Sequence, residues 1–124
     1  MKILALVFLG GGLGSVSRYL TGRLMLQMFG ATLLPWGTIA ANILACLVFA
    51  LVAHRYGPMI EMHPSLKALM LIGFCGGFST FSSFGYESFQ LIKQGHPYFA
   101  LANILISVIL CTAIFFALVR KMDV

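Results

Sequence analysis

Four long apolar stretches, almost free of charge, run through this sequence. Apolar residues occupy 60% of its 124 positions and charged residues only 9%, whereas a soluble domain carries about 25% charged residues. A water-facing surface cannot be assembled from this composition. The eight basic residues are scattered along the chain, so the clustered basic patch typical of nucleic-acid binding is also missing. The sequence predicts an all-α integral membrane protein, in contact with the lipid bilayer.

The length of the chain sets the number of membrane spans. A transmembrane helix needs about 20 apolar residues, so four helices and short connections account for the 124 residues. We predict a single domain, residues 1–124, with transmembrane helices near residues 3–26, 35–54, 66–92 and 98–119. Pro35 and Trp36 open the second helix, because proline suits a first helical turn and tryptophan suits the membrane interface. The run from His54 to Pro58 is predicted to end it.

The third predicted helix is interrupted near its middle. From Gly73 to Gly85 the sequence reads GFCGGFSTFSSFG, with four glycines and four hydroxyl residues in thirteen positions. Such residues form helix poorly, and a break at membrane depth requires protein or a water-lined path to satisfy the freed backbone groups. Breaks of this kind form ion and substrate sites in transporters. We therefore predict a third helix that is broken mid-membrane, at a functional site.

Small residues in the first span predict close helix packing. Gly10, Gly14 and Gly22 fall on one face at multiples of four residues, a spacing that lets two membrane helices approach closely. The glycine cluster does not read as a phosphate-binding loop, because no strand precedes it. Three cysteines lie far apart in apolar runs and are predicted to be packing residues: Cys46, Cys75 and Cys111.

Uncharged polar residues on three helices form a candidate site. Thr38 and Asn42 share a face of the second helix because they lie four residues apart, and the later helices add Ser82, Ser83 and Ser107. Buried hydroxyls and amides must find hydrogen-bond partners, and two interpretations remain open. The residues can bond one helix to another, or they can line a shared polar track. Donors on three helices favour the track.

Phenylalanines at helical spacing accompany the interruption, at positions 74, 78, 81 and 84. Such a stripe is typical of packing. Alternatively, the positive edges of the rings could face a pore and attract an anion weakly enough to release it. Two ionisable residues in the spans are further candidates. Glu87 is predicted at a helix end near the interface, whereas Arg18 either reaches the interface or faces a water-filled vestibule, where it would concentrate anions.

The distribution of basic residues bears on orientation. Four spans place both termini on one side, together with five basic residues: Lys2, Arg55, Lys67, Arg120 and Lys121. The opposite side has three, which are Arg18, Arg23 and Lys93. This positive-inside bias is weak, so insertion in both orientations remains open.

Three segments of the chain are more distinctive than the rest. Residues 10–19 read GGGLGSVSRY, residues 37–42 read GTIAAN and residues 73–84 read GFCGGFSTFSSF. In this order they resemble the motifs of the CrcB/Fluc fluoride channels, whose third-span pattern is commonly Gly-Phe-x-Gly-Gly-x-Thr-Thr-Phe-Ser-Thr-Phe. Ser79 and Ser83 stand where that family usually has threonine. The resemblance covers nearly the whole chain.

The resemblance implies a fluoride-selective channel that passively exports fluoride from the cytoplasm across the cell inner membrane and so protects against fluoride toxicity. It implies an antiparallel, dual-topology homodimer with two pores along the subunit interface. It assigns the pore to Phe81, Phe84, Asn42, Ser82, Ser83, Thr38 and Ser107, and the vestibule to Arg18. It also implies a structural, non-transported sodium ion (Na+) at the dimer centre, held by the backbone carbonyls of Gly76 and Ser79.

Two alternatives come from other functional classes. A small multidrug-type proton-coupled exporter also has four spans, but such exporters use a glutamate in the first span, where this chain has Arg18 and no acid. The other alternative is a membrane subunit that transports nothing. An enzyme is not expected, because the spans carry no nucleophile–base pair or metal-ligand cluster. Selectivity for fluoride over chloride rests on the resemblance alone.

Overall fold

The computed structural model describes residues 1–119, which form helices joined by short connections. In chain order these are α1 Lys2–Phe29, α2 Trp36–Met62, α3 Pro64–Leu66, a π-helix at Lys67–Cys75, α4 Gly76–Phe78, α5 Phe81–Lys93 and α6 Pro97–Leu118. Four helical stretches are long and apolar enough to cross a membrane: Lys2–Phe29, Trp36–Met62, Pro64–Lys93 and Pro97–Leu118. The predicted all-α fold with four such stretches is confirmed.

Large apolar side chains cover the outside of the chain. Leu4, Phe8 and Leu13 of α1 are more than half exposed, and so is Phe116 of α6. Soluble monomers rarely expose contiguous apolar patches larger than a few hundred Å², whereas lipid covers such a surface without cost. The chain is a multi-pass membrane protein.

The run from His54 to Pro58 interrupts helix α2 without ending it, so the prediction is right about the place of the break and wrong about the helix stopping there. It continues to Met62 and bends at Tyr56, whose φ of −125° and ψ of 16° are not helical. Pro58 accounts for the bend, because a proline inside a helix lacks an N–H and its ring crowds the carbonyl four residues earlier. The helix is kinked rather than stopped, and His63 alone separates it from α3.

The third span changes its backbone geometry along its length. The π-helix has the wider, five-residue hydrogen-bond step, and α4 follows it. Ser79 and Thr80 then take extended backbone, with φ and ψ of −75° and 157° and of −147° and 119°. Helix α5 begins at the next residue, and the Thr80 hydroxyl caps it by accepting the Ser83 N–H at 3.2 Å. Threonine is a favoured residue for such a cap.

Helix α1 packs directly on the backbone of the third span. A Cβ on Gly10 would lie 2.9 Å from a backbone nitrogen of that span, and one on Gly14 would lie 2.7 Å from another. These distances leave no room for a side chain, so the predicted close packing is confirmed for both glycines. Gly22 meets α2 instead, where a Cβ on Gly37 would lie 3.0 Å from its Cα.

This packing makes stability sensitive to a single methyl group. Gly14→Ala is expected to destabilise the protein by about 1–3 kcal/mol, the usual cost of overpacking, because the new Cβ meets backbone that cannot rotate away. Gly12→Ala is the matched control, since a Cβ there has no neighbour within 4 Å. Thermal unfolding of the purified variants in detergent tests the difference. Equal melting temperatures would contradict the packing.

Candidate functional site

The side-chain amide of Asn42 holds both backbone polar groups of the extended residue Thr80. The Thr80 N–H donates to Asn42 Oδ1 at 2.7 Å, and Asn42 Nδ2 donates to the Thr80 carbonyl at 3.2 Å. We call this pair of bonds the Asn42 clamp. It joins α2 to the third span and satisfies backbone groups that the extended geometry removes from helical pairing, which is necessary inside a membrane.

Two carbonyls beside the Asn42 clamp lose their helical donors. In a continuous α-helix the N–H of residue 80 would bond the carbonyl of Gly76, but here it bonds Asn42. Likewise the N–H of Ser83 bonds the Thr80 hydroxyl and not the carbonyl of Ser79. The Ser79 carbonyl accepts a long hydrogen bond, 3.4 Å, from Arg18 Nη1. Both carbonyls therefore keep lone pairs available to another ligand.

A cavity of about 340 Å³ opens beside the Asn42 clamp, and we call it the first cavity. Helices α2, α5 and α6 and the extended residues line it with Asn42, Cys46, Ser79, Thr80, Phe81, Phe84, Ser107, Val108, Cys111 and Thr112. The rings of Phe81 and Phe84 have centroids 5.6 Å apart. Phe81 is 84% exposed on the single chain. The first cavity thus brings together four of the seven predicted pore residues: Asn42, Phe81, Phe84 and Ser107.

The phenylalanine stripe divides at the extended residues. Phe78 belongs to a buried cluster with Ala41 and Ala45 of α2, and Phe74 packs against that cluster. The two rings meet edge to face, with centroids 5.7 Å apart. The packing interpretation is confirmed for the first half of the stripe, and the pore interpretation stays a prediction for the second half. The first two rings pack in the core, and the last two line the first cavity.

A second cavity, of about 270 Å³, lies on the other side of Thr80 and contains charged groups. It is lined by Arg18, Gly22, Pro35, Gly37, Thr38, Thr80, Ser83 and Glu87. The Thr38 hydroxyl donates to Glu87 Oε1 at 2.8 Å. Glu87 Oε2 is buried and has no hydrogen-bond partner among residues 1–119. Thr38 and Ser83, predicted for the pore, thus lie with Arg18 and apart from the phenylalanine rings.

The two remaining serines of the prediction have different surroundings. Ser82 is exposed, and its hydroxyl lies 3.3 Å from that of Thr80. Ser107 lines the first cavity but is also 3.5 Å from Asn103 Oδ1, and Asn103 Nδ2 donates to the Ser88 hydroxyl at 3.0 Å. This buried network links α6 to α5. Ser107 therefore serves helix-to-helix bonding as well as lining the cavity.

Sequence reasoning missed one residue of this region and one contact. Thr80 lines both cavities and is held by Asn42; its place as a capping hydroxyl just before a helical run was the available signal. Glu87 was a candidate, expected to be solvated or paired at a helix end, and the structure shows that its carboxylate accepts a hydrogen bond from Thr38 of α2. Nothing in the spacing of residues indicates that contact.

Comparison with known proteins places the chain in a family. The family model described as "CrcB-like protein, Camphor Resistance (CrcB)" matches residues 5–119. The chain belongs to the CrcB-like family.

Individual relatives agree with this assignment. One family relative, from Phocaeicola vulgatus, is 46% identical over 95 residues, which cover 77% of each chain. A relative from Leptospira interrogans is 41% identical over 108 residues, covering 87% of this chain and 84% of the relative. One from Shewanella denitrificans is 39% identical over 111 residues, covering 90% and 88%. All three CrcB-like relatives are named "Fluoride-specific ion channel FluC".

Proposed function

We propose that this protein is a fluoride-selective ion channel that lets fluoride leave the cytoplasm down its gradient and so protects the cell. The observation that carries the proposal is its membership in the CrcB-like family, with relatives named as fluoride-specific channels. A member of a channel family is not an enzyme. Export from the cytoplasm requires that the channel lie in the cell inner membrane.

The first cavity is the proposed fluoride path. Asn42 Nδ2 carries two N–H groups, and since one bonds Thr80, the other is free for an anion. The positive ring edges of Phe81 and Phe84 also attract an anion, and the Ser107 hydroxyl, whose single O–H reaches Asn103 Oδ1 only at 3.5 Å, can turn to donate to it instead. A neutral path attracts an anion without trapping it. In the second cavity, the positive charge of Arg18 raises the local concentration of anions, which suits a vestibule.

We extend the proposal to an antiparallel, dual-topology homodimer. Phe81, Ser82 and Gly76 are all exposed on the single chain, although they stand beside the first cavity and the Asn42 clamp. A path whose phenyl ring projects from the surface is closed only when a second copy covers it. The weak bias in basic residues allows the two copies to insert in opposite orientations.

Topology can be measured with reporter fusions after Val124, which lies outside residues 1–119. Signal is expected from both sides of the membrane in comparable amounts. The control carries Met62→Lys at the end of α2 and His63→Lys in the connection before α3, which strengthens the basic bias on one side and should fix a single orientation. Signal from one side only in the parent chain would argue against the antiparallel homodimer.

We further propose that Ser79 and Thr80 break the third helix mid-membrane, and that the break holds a structural sodium ion between the two copies. The carbonyls of Gly76 and Ser79, which lack their helical donors, supply the oxygen ligands that hard cations prefer. At the subunit interface, a sodium ion would offset the partial negative charges of these carbonyl oxygens. The ion itself would not be transported. The Ser79 hydroxyl donates to the Cys75 carbonyl at the end of the π-helix at 3.0 Å, so coordination falls to the main chain.

Two substitutions test this sodium site. Ser79→Ala is expected to keep the dimer, the flux and the dependence on sodium, because only the side chain changes. Gly76→Val is expected to lower fluoride flux at least tenfold, about 1.4 kcal/mol in barrier terms, and to lose the dimer. Beyond its own helical turn, no atom of the described chain lies closer than 3.9 Å to a Cβ at this position, so we expect the crowding to come from the second copy. An inactive but folded Ser79→Ala would show that the hydroxyl coordinates instead.

Growth of a bacterial strain without fluoride export tests the function itself. Expression of this chain is expected to restore growth in fluoride-containing medium, and the Asn42→Asp variant is expected to fail. A small multidrug-type exporter would instead confer resistance to cationic dyes, and a non-transporting subunit would do neither. Glu87, the acidic residue that lines the second cavity, lies on α5 and not in the first span. It therefore does not support the exporter alternative.

A further inference from the structure

Two cysteines on neighbouring helices line the first cavity. Cys46 on α2 and Cys111 on α6 both line it, and both are partly exposed. One helical turn further along, the rings of Phe49 and Phe115 meet edge to face with centroids 5.5 Å apart, so the two helices pack face to face here. The two cysteines therefore lie at the same level of neighbouring helices, both on the first cavity.

The chemistry of two paired thiols selects a class of ligand. Thiolate sulfur is a soft ligand that favours soft metal ions. A structural zinc site needs four ligands, and residues 1–119 contain no cluster of three or more His, Cys, Asp or Glu side chains placed to hold a metal. Two sulfurs alone suit ions that accept linear two-coordination, such as Hg²⁺, Ag⁺ and Cu⁺.

We propose that Cys46 and Cys111 form a two-sulfur site for a soft metal cation, and that the bound metal blocks the first cavity. With Hg²⁺, two S–H bonds break, two Hg–S bonds form and two protons pass to water, so no electrons are transferred and the product is neutral. Cys46 lies four residues after Asn42, and Cys111 lies four after Ser107. The metal would therefore sit one helical turn from both donors of the proposed path. The blocking half of the proposal, that the bound metal stops fluoride flux, rests on the proposed function. The binding half, that the two sulfurs hold the metal, does not.

Binding is tested on the purified protein with Hg²⁺ and an excess of a monothiol competitor. The parent chain is expected to take up one Hg²⁺ per chain, seen as a sulfur-to-mercury charge-transfer band, and to keep it against the competitor. Cys46→Ser and Cys111→Ser are each expected to lose it at a competitor concentration at least tenfold lower. Cys75→Ser is the comparison, because Cys75 is buried on the third span and shares a separate, smaller cavity with Cys46 without lining the first cavity. Retention by both paired-site variants, or loss by the control, would overturn the site.

Block is tested by fluoride efflux from liposomes, with each variant compared with its own rate before Hg²⁺. Efflux through the parent and through Cys75→Ser is expected to fall at least tenfold and to recover with dithiothreitol. Cys46→Ser and Cys111→Ser are expected to keep most of their own efflux. Tight binding without block would overturn the blocking half. A parent chain that binds Hg²⁺ but never conducts fluoride would overturn the proposed function and leave the metal site established.

Discussion

Asn42→Asp is expected to reduce fluoride flux at least about 100-fold. The second oxygen of the new carboxylate would face the Thr80 carbonyl, at the position where Asn42 Nδ2 now donates at 3.2 Å. Two acceptors would then oppose each other, and losing such a buried hydrogen bond costs about 1–3 kcal/mol. The carboxylate also removes the free N–H and repels the anion. Together these effects correspond to about a 100-fold lower rate of fluoride permeation.

Asn103→Asp is the matched control for this prediction. Asn103 is also a buried amide, fully enclosed and bonded to Ser88, but it does not line the first cavity. Flux is compared per folded dimer, after size-exclusion chromatography. Because Asn103 bonds the cavity-lining Ser107 without lining the first cavity itself, the control is expected to lose stability and to lose much less flux per remaining dimer than Asn42→Asp. If Asn42→Asp dimers conduct within tenfold of the parent, the Asn42 clamp has no part in permeation.

Phe81→Ile and Phe84→Ile are each expected to cut fluoride flux at least tenfold, about 1.4 kcal/mol in barrier terms. Isoleucine keeps apolar bulk but has no ring quadrupole, and both rings line the first cavity. Phe78→Ile provides the comparison within the same stripe, because that ring is buried in the core cluster. It is expected to lower the melting temperature while flux per folded dimer stays unchanged.

The opposite pattern would contradict the role of these two rings. If both serve packing alone, their replacement by isoleucine would leave flux unchanged and would appear only as a less stable dimer. That result would remove the rings from the conduction path while leaving the identity of the permeating ion to be decided separately.

The helices follow from composition, but one helix end does not. Hydropathy alone predicts four spans, since so apolar a chain has no other way to satisfy its backbone in lipid. The end of α2 was predicted in the run from His54 to Pro58 because proline usually stops a helix. The chain beyond Pro58 continues with apolar residues, and Ile60 is 4% exposed. Tertiary packing of that segment favours continuing the helix through a kink.

Residues of the candidate site could be predicted individually from the sequence, but the contacts between residues of different helices could not. Glycine spacing in α1 predicts contact with a neighbouring helix, because small residues make that contact possible whichever helix it is. The Asn42–Thr80 bonds join residues 38 positions apart, and they depend on how α2 is placed against the third span. Spacing within a single helix carries no such information. For the same reason the division of the polar residues between two cavities, on either side of Thr80, emerges only from the structure.

Efflux of fluoride and of chloride from liposomes containing only this protein tests the central claim most directly. Each anion is followed with its own ion-selective electrode, and a potassium ionophore balances the charge. Fluoride is expected to leave rapidly, at a rate independent of any pH gradient, while chloride stays inside. Retention of fluoride, or loss of chloride at a comparable rate, by a correctly folded dimer would contradict a fluoride-selective channel.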